Sequence, residues 1–149
     1  MARFRFRLQT LRRLREIHRD EQRGRLAAAF EAERILAGQR EGVAAEAVAL
    51  SNTQRQLMQQ GVLDVNQLLS VQRYQLSLEA QARTLAEQAA KLNEEVERRR
   101  QSLVEADREV RVLDKLEERQ RREHREGAAR AETKVMDEVA ATRWEGPEI

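Results

Sequence analysis

Apolar positions recur along this chain at alternating steps of three and four, and the clearest run holds register from Leu68 to Leu113. It passes through Leu68, Val71, Gln75, Leu78, Ala82, Leu85, Ala89, Leu92, Val96, Arg99, Leu103, Ala106, Val110 and Leu113, and twelve of these fourteen are apolar. Their neighbours are mostly Glu, Gln, Arg and Lys. A repeat of about 3.5 residues keeps one narrow face aimed at a partner helix, which is the seam of a coiled coil. A second seam, spaced by sevens, runs through Ala29, Leu36, Val43, Leu50 and Leu57, with Ala32, Ala47 and Gln54 between them. Earlier still, Phe4 and Phe6 alternate with arginines, and Leu8, Leu11, Leu14 and Ile17 take up a helical spacing. These patterns predict helix 1 over about 8–58 and helix 2 over about 65–142.

The connection at 59–64 carries agreeing local signals. Gly61 is placed to end helix 1 in the left-handed conformation. Asp64 caps helix 2, Gln67 completes a capping box, and Leu63 and Leu68 form a hydrophobic staple. So short a link favours antiparallel neighbours. Facing residue numbers then add to about 125, which sets Leu57 against Leu68, Ala47 against Leu78, Val43 against Ala82, Leu36 against Ala89 and Ala29 against Val96. Further out, Leu14 meets Val110, Leu11 meets Leu113 and Leu8 meets Leu116. Gly42, beside Val43, reads as a small residue that lets two backbones approach. The expected fold is all-α, a long antiparallel two-helix coiled coil, or helical hairpin, with the second helix overhanging. It is read as a single coiled-coil domain, 1–149. A parallel homodimer of extended chains is the competing topology.

Helix 2 is expected to outrun helix 1 from Glu117 onward, by roughly 40 Å at 1.5 Å per residue. Pairs four apart, Glu117–Arg121 and Glu118–Arg122, support that stretch weakly. A new stripe follows at Ala128, Ala131, Val135, Met136 and Val139, and an isolated helix needs packing to persist. Docking on a partner is the expected fate of this stripe, with residues 143–149 as a flexible tail.

Composition narrows the function classes. Charged residues make up 36% of the chain and aromatics 3%, too polar for a thick globular core. Such polarity would otherwise signal disorder, but the sustained seam argues against it. Cysteine is absent, which excludes disulfides and thiolate metal sites and fits a cytosolic location. No apolar run is long enough to span a membrane, and the first residues lack the apolar block of a signal peptide. Charge is uneven: residues 1–25 hold nine arginines against Glu16, Asp20 and Glu21, while the whole chain carries only +2. A basic end suits an acidic partner, an anionic membrane surface or nucleic acid.

Catalytic and metal chemistry finds no footing. His18 and His124 have no metal ligands at a recognisable spacing and read as exposed helix histidines. No glycine-rich phosphate loop is present. Adjacent acids such as Glu94 and Glu95 lie on open surface, where nothing raises a carboxyl pKa for acid–base work. Tyr74 and Trp144 form no stacking array with the arginines, so a nucleic-acid groove is not expected. An amphipathic Phe4–Leu14 segment could lie on a membrane. The favoured reading is that its apolar residues close the end of the coiled coil. The expected class is a non-enzymatic interaction protein without cofactor or metal.

Three motifs in order resemble the flagellar export protein family FliJ. They are Met-Ala-Arg-Phe-Arg-Phe-Arg-Leu-Gln-Thr-Leu at 1–11, Val-Leu-Asp-Lys-Leu-Glu-Glu-Arg-Gln at 112–120, and Met-Asp-Glu-Val-Ala at 136–140. Related YscO-type stalk proteins of virulence secretion systems share the architecture, and the phenylalanine–arginine start argues for the flagellar branch. The resemblance implies a cytoplasmic stalk of the type III export apparatus, at the inner-membrane face of the flagellar base. Its implied partners are the FliI-like export ATPase ring, the FlhA-like cytoplasmic domain of the export gate, and export chaperones. Membrane contact is implied only through the gate. On the ATPase side the implied residues are Arg12, Arg13, Arg15, Asp137 and Glu138. On the gate side they are Gln72, Tyr74, Leu78 and Gln81, with Leu78 shared by the packing seam. A generic coiled-coil scaffold, and a basic binder of anionic membrane or nucleic acid, are the rival readings.

Overall fold

A computed structural model describes residues 2–144 and 146. Two helices form an all-α helical hairpin, α1 over Gln9–Gln59 and α2 over Val65–Arg143, with no strand among the described residues. α2 is longer by the overhang that the patterning predicts. Of the tail expected at 143–149, Arg143 ends α2 and Trp144 lies in a turn, while 145 and 147–149 fall outside the described residues. The chain divides into two compact units, residues 21–103 and residues 1–20 with 104–149.

Within 21–103, each helix contributes one narrow stripe. On α1 it runs through Gln22, Leu26, Ala29, Leu36, Val43, Leu50, Gln54 and Leu57, all buried or half-buried. On α2 it follows the expected positions from Leu68 to Leu103, with Ala82 the one exposed member. Cross-helix bonds show that the two helices run antiparallel. Gln75 Nε2 donates to Gln54 Oε1 at 2.8 Å, and Arg99 Nη1 donates to the Arg25 carbonyl at 2.6 Å. Three polar seam positions, Gln54, Gln75 and Arg99, are therefore filled by groups that bond across the seam, as buried polar groups require.

The turn is built differently from expectation. Gly61 does not adopt a positive φ, so the left-handed ending is absent. Asp64 does cap α2: its carboxylate accepts the Asn66 N–H at 3.0 Å, and its carbonyl accepts Leu68 N–H at 3.2 Å. Leu63 remains 56% exposed, so the staple with Leu68 is loose. Nor does Gly42 serve a close helix approach, since a Cβ there would meet open space.

In residues 1–20 with 104–149, α2 buries Ala106, Val110 and Leu113 as expected. The opposing side of α1 departs from expectation. Leu8 and Leu11 are each 37% exposed and Leu14 is 58% exposed, while Arg12, Glu16 and Arg19 are half-buried. The reason is geometric. Successive steps of three fall about 60° short of a full turn, so Leu8, Leu11, Leu14 and Ile17 spiral around the helix instead of forming one stripe. The sevenfold repeat puts Arg12, Arg19 and Leu26 in line instead. Arg12 is stabilised there by three carboxylates, Glu117, Asp114 at 2.9 Å and Glu16 at 3.3 Å. A half-buried guanidinium without such partners would be strongly destabilising.

Residues 2–6 form an extended arm along α2, which corrects the expectation that Glu117 onward has no partner within the chain. Phe6 is 8% exposed. Phe4 packs against the His124 ring at 5.7 Å between centroids, with the Arg121 guanidinium 5.3 Å from its own centroid. His124 Nε2 lies 3.1 Å from the Ala2 carbonyl. His124 is thus half-buried under the arm, not a free surface histidine. Beyond it, every described residue from Arg125 onward is exposed.

Candidate functional site

The surfaces available to a partner follow from what the two seams leave outside. One lies on α2 after the turn. Tyr74 is 48% exposed and its hydroxyl donates to Glu46 Oε2 at 2.8 Å. That bond, and the negative charge of Glu46, hold the phenol pKa above its ordinary value. Tyr74 therefore presents a neutral ring fixed at its tip. Gln81 is exposed seven residues on, on the same side of the helix, whereas Leu78 is only 2% exposed and fills the seam. Leu78 floors a groove of about 720 Å³ lined also by Ala37, Val43, Ala44, Ala47 and Gln75. Gln72, also exposed, sits about 160° around the helix from Tyr74. Of the four gate-side candidates, the fold thus brings Tyr74, Leu78 and Gln81 to one side and leaves Gln72 apart.

The neighbouring turn carries a surface that reading for motifs missed. Met58, Val62, Leu63, Val65 and Leu69 are between 46% and 86% exposed. Residues 42–72 contain only three charges, Glu46, Arg55 and Asp64, in a chain that is 36% charged. Charge depletion with exposed aliphatic residues marks the centre of a protein interface. The missing charges are visible in the sequence, but a search for apolar periodicity passes over them.

The ATPase-side candidates are distributed less compactly. Arg12 is held in the seam by its carboxylates, and Arg15 pairs with Glu109 at 2.9 Å. Arg13 is exposed. Asp137 and Glu138 are exposed on the last turns of α2, roughly 30 Å along that helix from the Glu117 that Arg12 contacts. Around them Val135, Met136 and Val139 are 57%, 70% and 45% exposed. The fold does not gather the five residues into one patch. Among the described residues no group of three or more His, Cys, Asp or Glu is placed to hold a metal ion, and no helix is long and apolar enough to cross a membrane.

These features describe a chain whose exposed chemistry is that of docking faces. The model of one family, described as flagellar FliJ protein, matches residues 4–148. The chain belongs to the FliJ family. No curated protein and no solved structure matches it significantly. FliJ proteins are non-enzymatic components of flagellar protein export, so this chain is a flagellar export-related protein that interacts within the export apparatus. The match spans the arm from Phe4, both helices and the exposed end of α2, so the surfaces described above belong to the FliJ portion of the chain.

Proposed function

We propose that this FliJ-family chain is a stalk that links the export ATPase ring to the export gate and escorts export chaperones, working at the cytoplasmic face of the inner membrane at the flagellar base. The observation that carries the reading is the last part of α2. From Arg125 to Arg143 it is helical with no packing partner among the described residues, yet it bears Val135, Met136 and Val139 on its surface. A helix in that state is stabilised mainly by what it docks on. A ring whose pore admits a helix end is such a partner, with Arg13, Arg15, Asp137 and Glu138 offering charge of both signs to its wall. Arg12 acts there by holding the register of the seam. On the gate side, Tyr74 and Gln81 make the polar contacts, Leu78 supports them from below, Gln72 lies at the margin, and the charge-poor turn adds apolar area. Chaperones are held on the same exposed faces.

The test is a pair of titrations of the purified chain, one with the ATPase and one with the gate's cytoplasmic domain from the same organism. Saturable binding to both is expected. Met136→Asp should weaken the first and leave the second intact, while Tyr74→Ala should do the reverse, with helicity by circular dichroism unchanged in each. Absence of binding to either protein by the folded chain would overturn the linking role.

A further inference from the structure

The first fifteen residues carry more cationic charge than the docking faces above use. They include six arginines and no acid; the first carboxylate is Glu16. Arg12 and Arg15 are engaged with carboxylates of α2. Arg3, Arg5, Arg7 and Arg13 are exposed, and among the described residues no ion pair forms to any of the four. Across the two helices the local balance does not cancel this charge, because α2 between Val104 and Arg125 holds seven basic and seven acidic residues.

The arrangement of these cations is set by the fold. Phe4 and Phe6 are turned onto α2, and Arg3 and Arg5 are exposed beside them, lining a cleft with Gln9, Glu117 and Arg121. In the first turns of α1, Arg12 and Arg19 are half-buried toward α2. At about 100° per residue, Leu14 and Ile17 then lie on the far side, with Arg13 beside Ile17. Leu14 is 58% and Ile17 50% exposed. The start of the chain therefore combines exposed guanidinium groups with half-exposed aliphatic side chains.

We infer that this surface binds the headgroup region of an anionic lipid bilayer directly. Guanidinium groups attract anionic headgroups, and short aliphatic side chains on the same turns enter the boundary with the acyl chains. Nucleic acid shares the phosphate chemistry but is the poorer fit. Base stacking needs free aromatic faces, and Phe4 and Phe6 are committed to His124, Arg121 and the interior. An acidic protein would satisfy the arginines without using Leu14 and Ile17. The inference does not depend on the linking role proposed above, since it concerns the chain alone with lipid.

Co-sedimentation of the full chain with vesicles tests it. Vesicles of pure phosphatidylcholine are compared with vesicles containing phosphatidylglycerol, between 50 and 300 mM salt. Binding is expected only to the anionic vesicles and should weaken steeply with salt. Replacing Arg3, Arg5 and Arg7 together by glutamate should lower the partition coefficient by at least about a hundredfold. Leu14→Ser with Ile17→Ser should lower it about tenfold without changing the circular dichroism spectrum. Absence of binding to anionic vesicles, or binding that survives both sets of substitutions, overturns the proposal. Equal binding to duplex DNA, insensitive to the Leu14 and Ile17 changes, overturns it in favour of a general polyanion site.

Discussion

Glu95 shows how a single residue reports on the seam. Its carboxylate accepts from Arg99 Nε at 2.8 Å and from Arg98 Nη2 at 2.7 Å. These bonds, Arg99 first and Arg98 second, hold its pKa below the ordinary 4.5. Because the folded state favours the ionised form, the contribution is complete above the unfolded value and is lost as pH falls through the folded one. Glu95→Gln should therefore melt at a lower temperature than the parent at pH 7, with the gap closing once the pH drops below about 4.5. A gap that persists unchanged at pH 3 would show that the guanidinium pair is not its source. Leu78 makes the opposite case, an apolar side chain whose value lies in burial. Truncating it to alanine leaves a void in a seam only two helices thick and should cost about 2–3 kcal/mol of stability, measurable by urea denaturation. The exposed Gln81→Ala should cost almost nothing in the same assay, so a similar loss in both would contradict the assignment of Leu78 to the seam.

The helices were legible in the sequence to different degrees, and Gly42 marks the limit on α1. As a small residue beside Val43 it reads as a point of close approach, but nothing lies within 4 Å of where its Cβ would be. Gly42→Ala should then stabilise the hairpin by about 0.5–1 kcal/mol, the helix-propensity difference. A lower melting temperature in that variant would restore the close-approach reading. The α2 seam was readable because its spacing alternates between three and four, which keeps a stripe on one side over fourteen positions. The start of α1 was not, because apolar residues at constant steps of three drift around the helix. Arg12 then occupies the seam on the strength of carboxylates that are about a hundred residues away in sequence. No local pattern announces such a pairing. The arm escaped notice for a related reason: its contacts with Arg121 and His124 are equally remote. The cap was half legible. Asp64 bonds as its position implies, while Gly61 ends α1 without a left-handed turn. Of the candidate site, the patterning set Leu78 on the seam, where it is buried, but did not separate Gln72 from Tyr74 and Gln81.

At the scale of the whole molecule, the two units differ in the kind of attraction they offer. The turn within residues 21–103 is nearly free of charge and exposes Met58, Val62, Leu63, Val65 and Leu69. The unit formed by residues 1–20 and 104–149 offers exposed arginines near its start and mixed charge along α2. Apolar association responds little to moderate salt, whereas exposed charges are screened over about 8 Å at physiological ionic strength. If the gate engages the turn and its flank, its affinity for this chain should change less than about threefold between 50 and 300 mM salt. Binding of the ATPase through the charged surfaces should weaken about tenfold or more over the same range, chiefly through slower association. Isothermal titration at three salt concentrations would read both. Val62→Asp, 86% exposed in the parent and so harmless to folding, should reduce gate binding while leaving the salt response of ATPase binding unaltered. Equal salt sensitivity for the two partners would mean that they share the charged surface, and the division of labour between the turn and the basic start would fail.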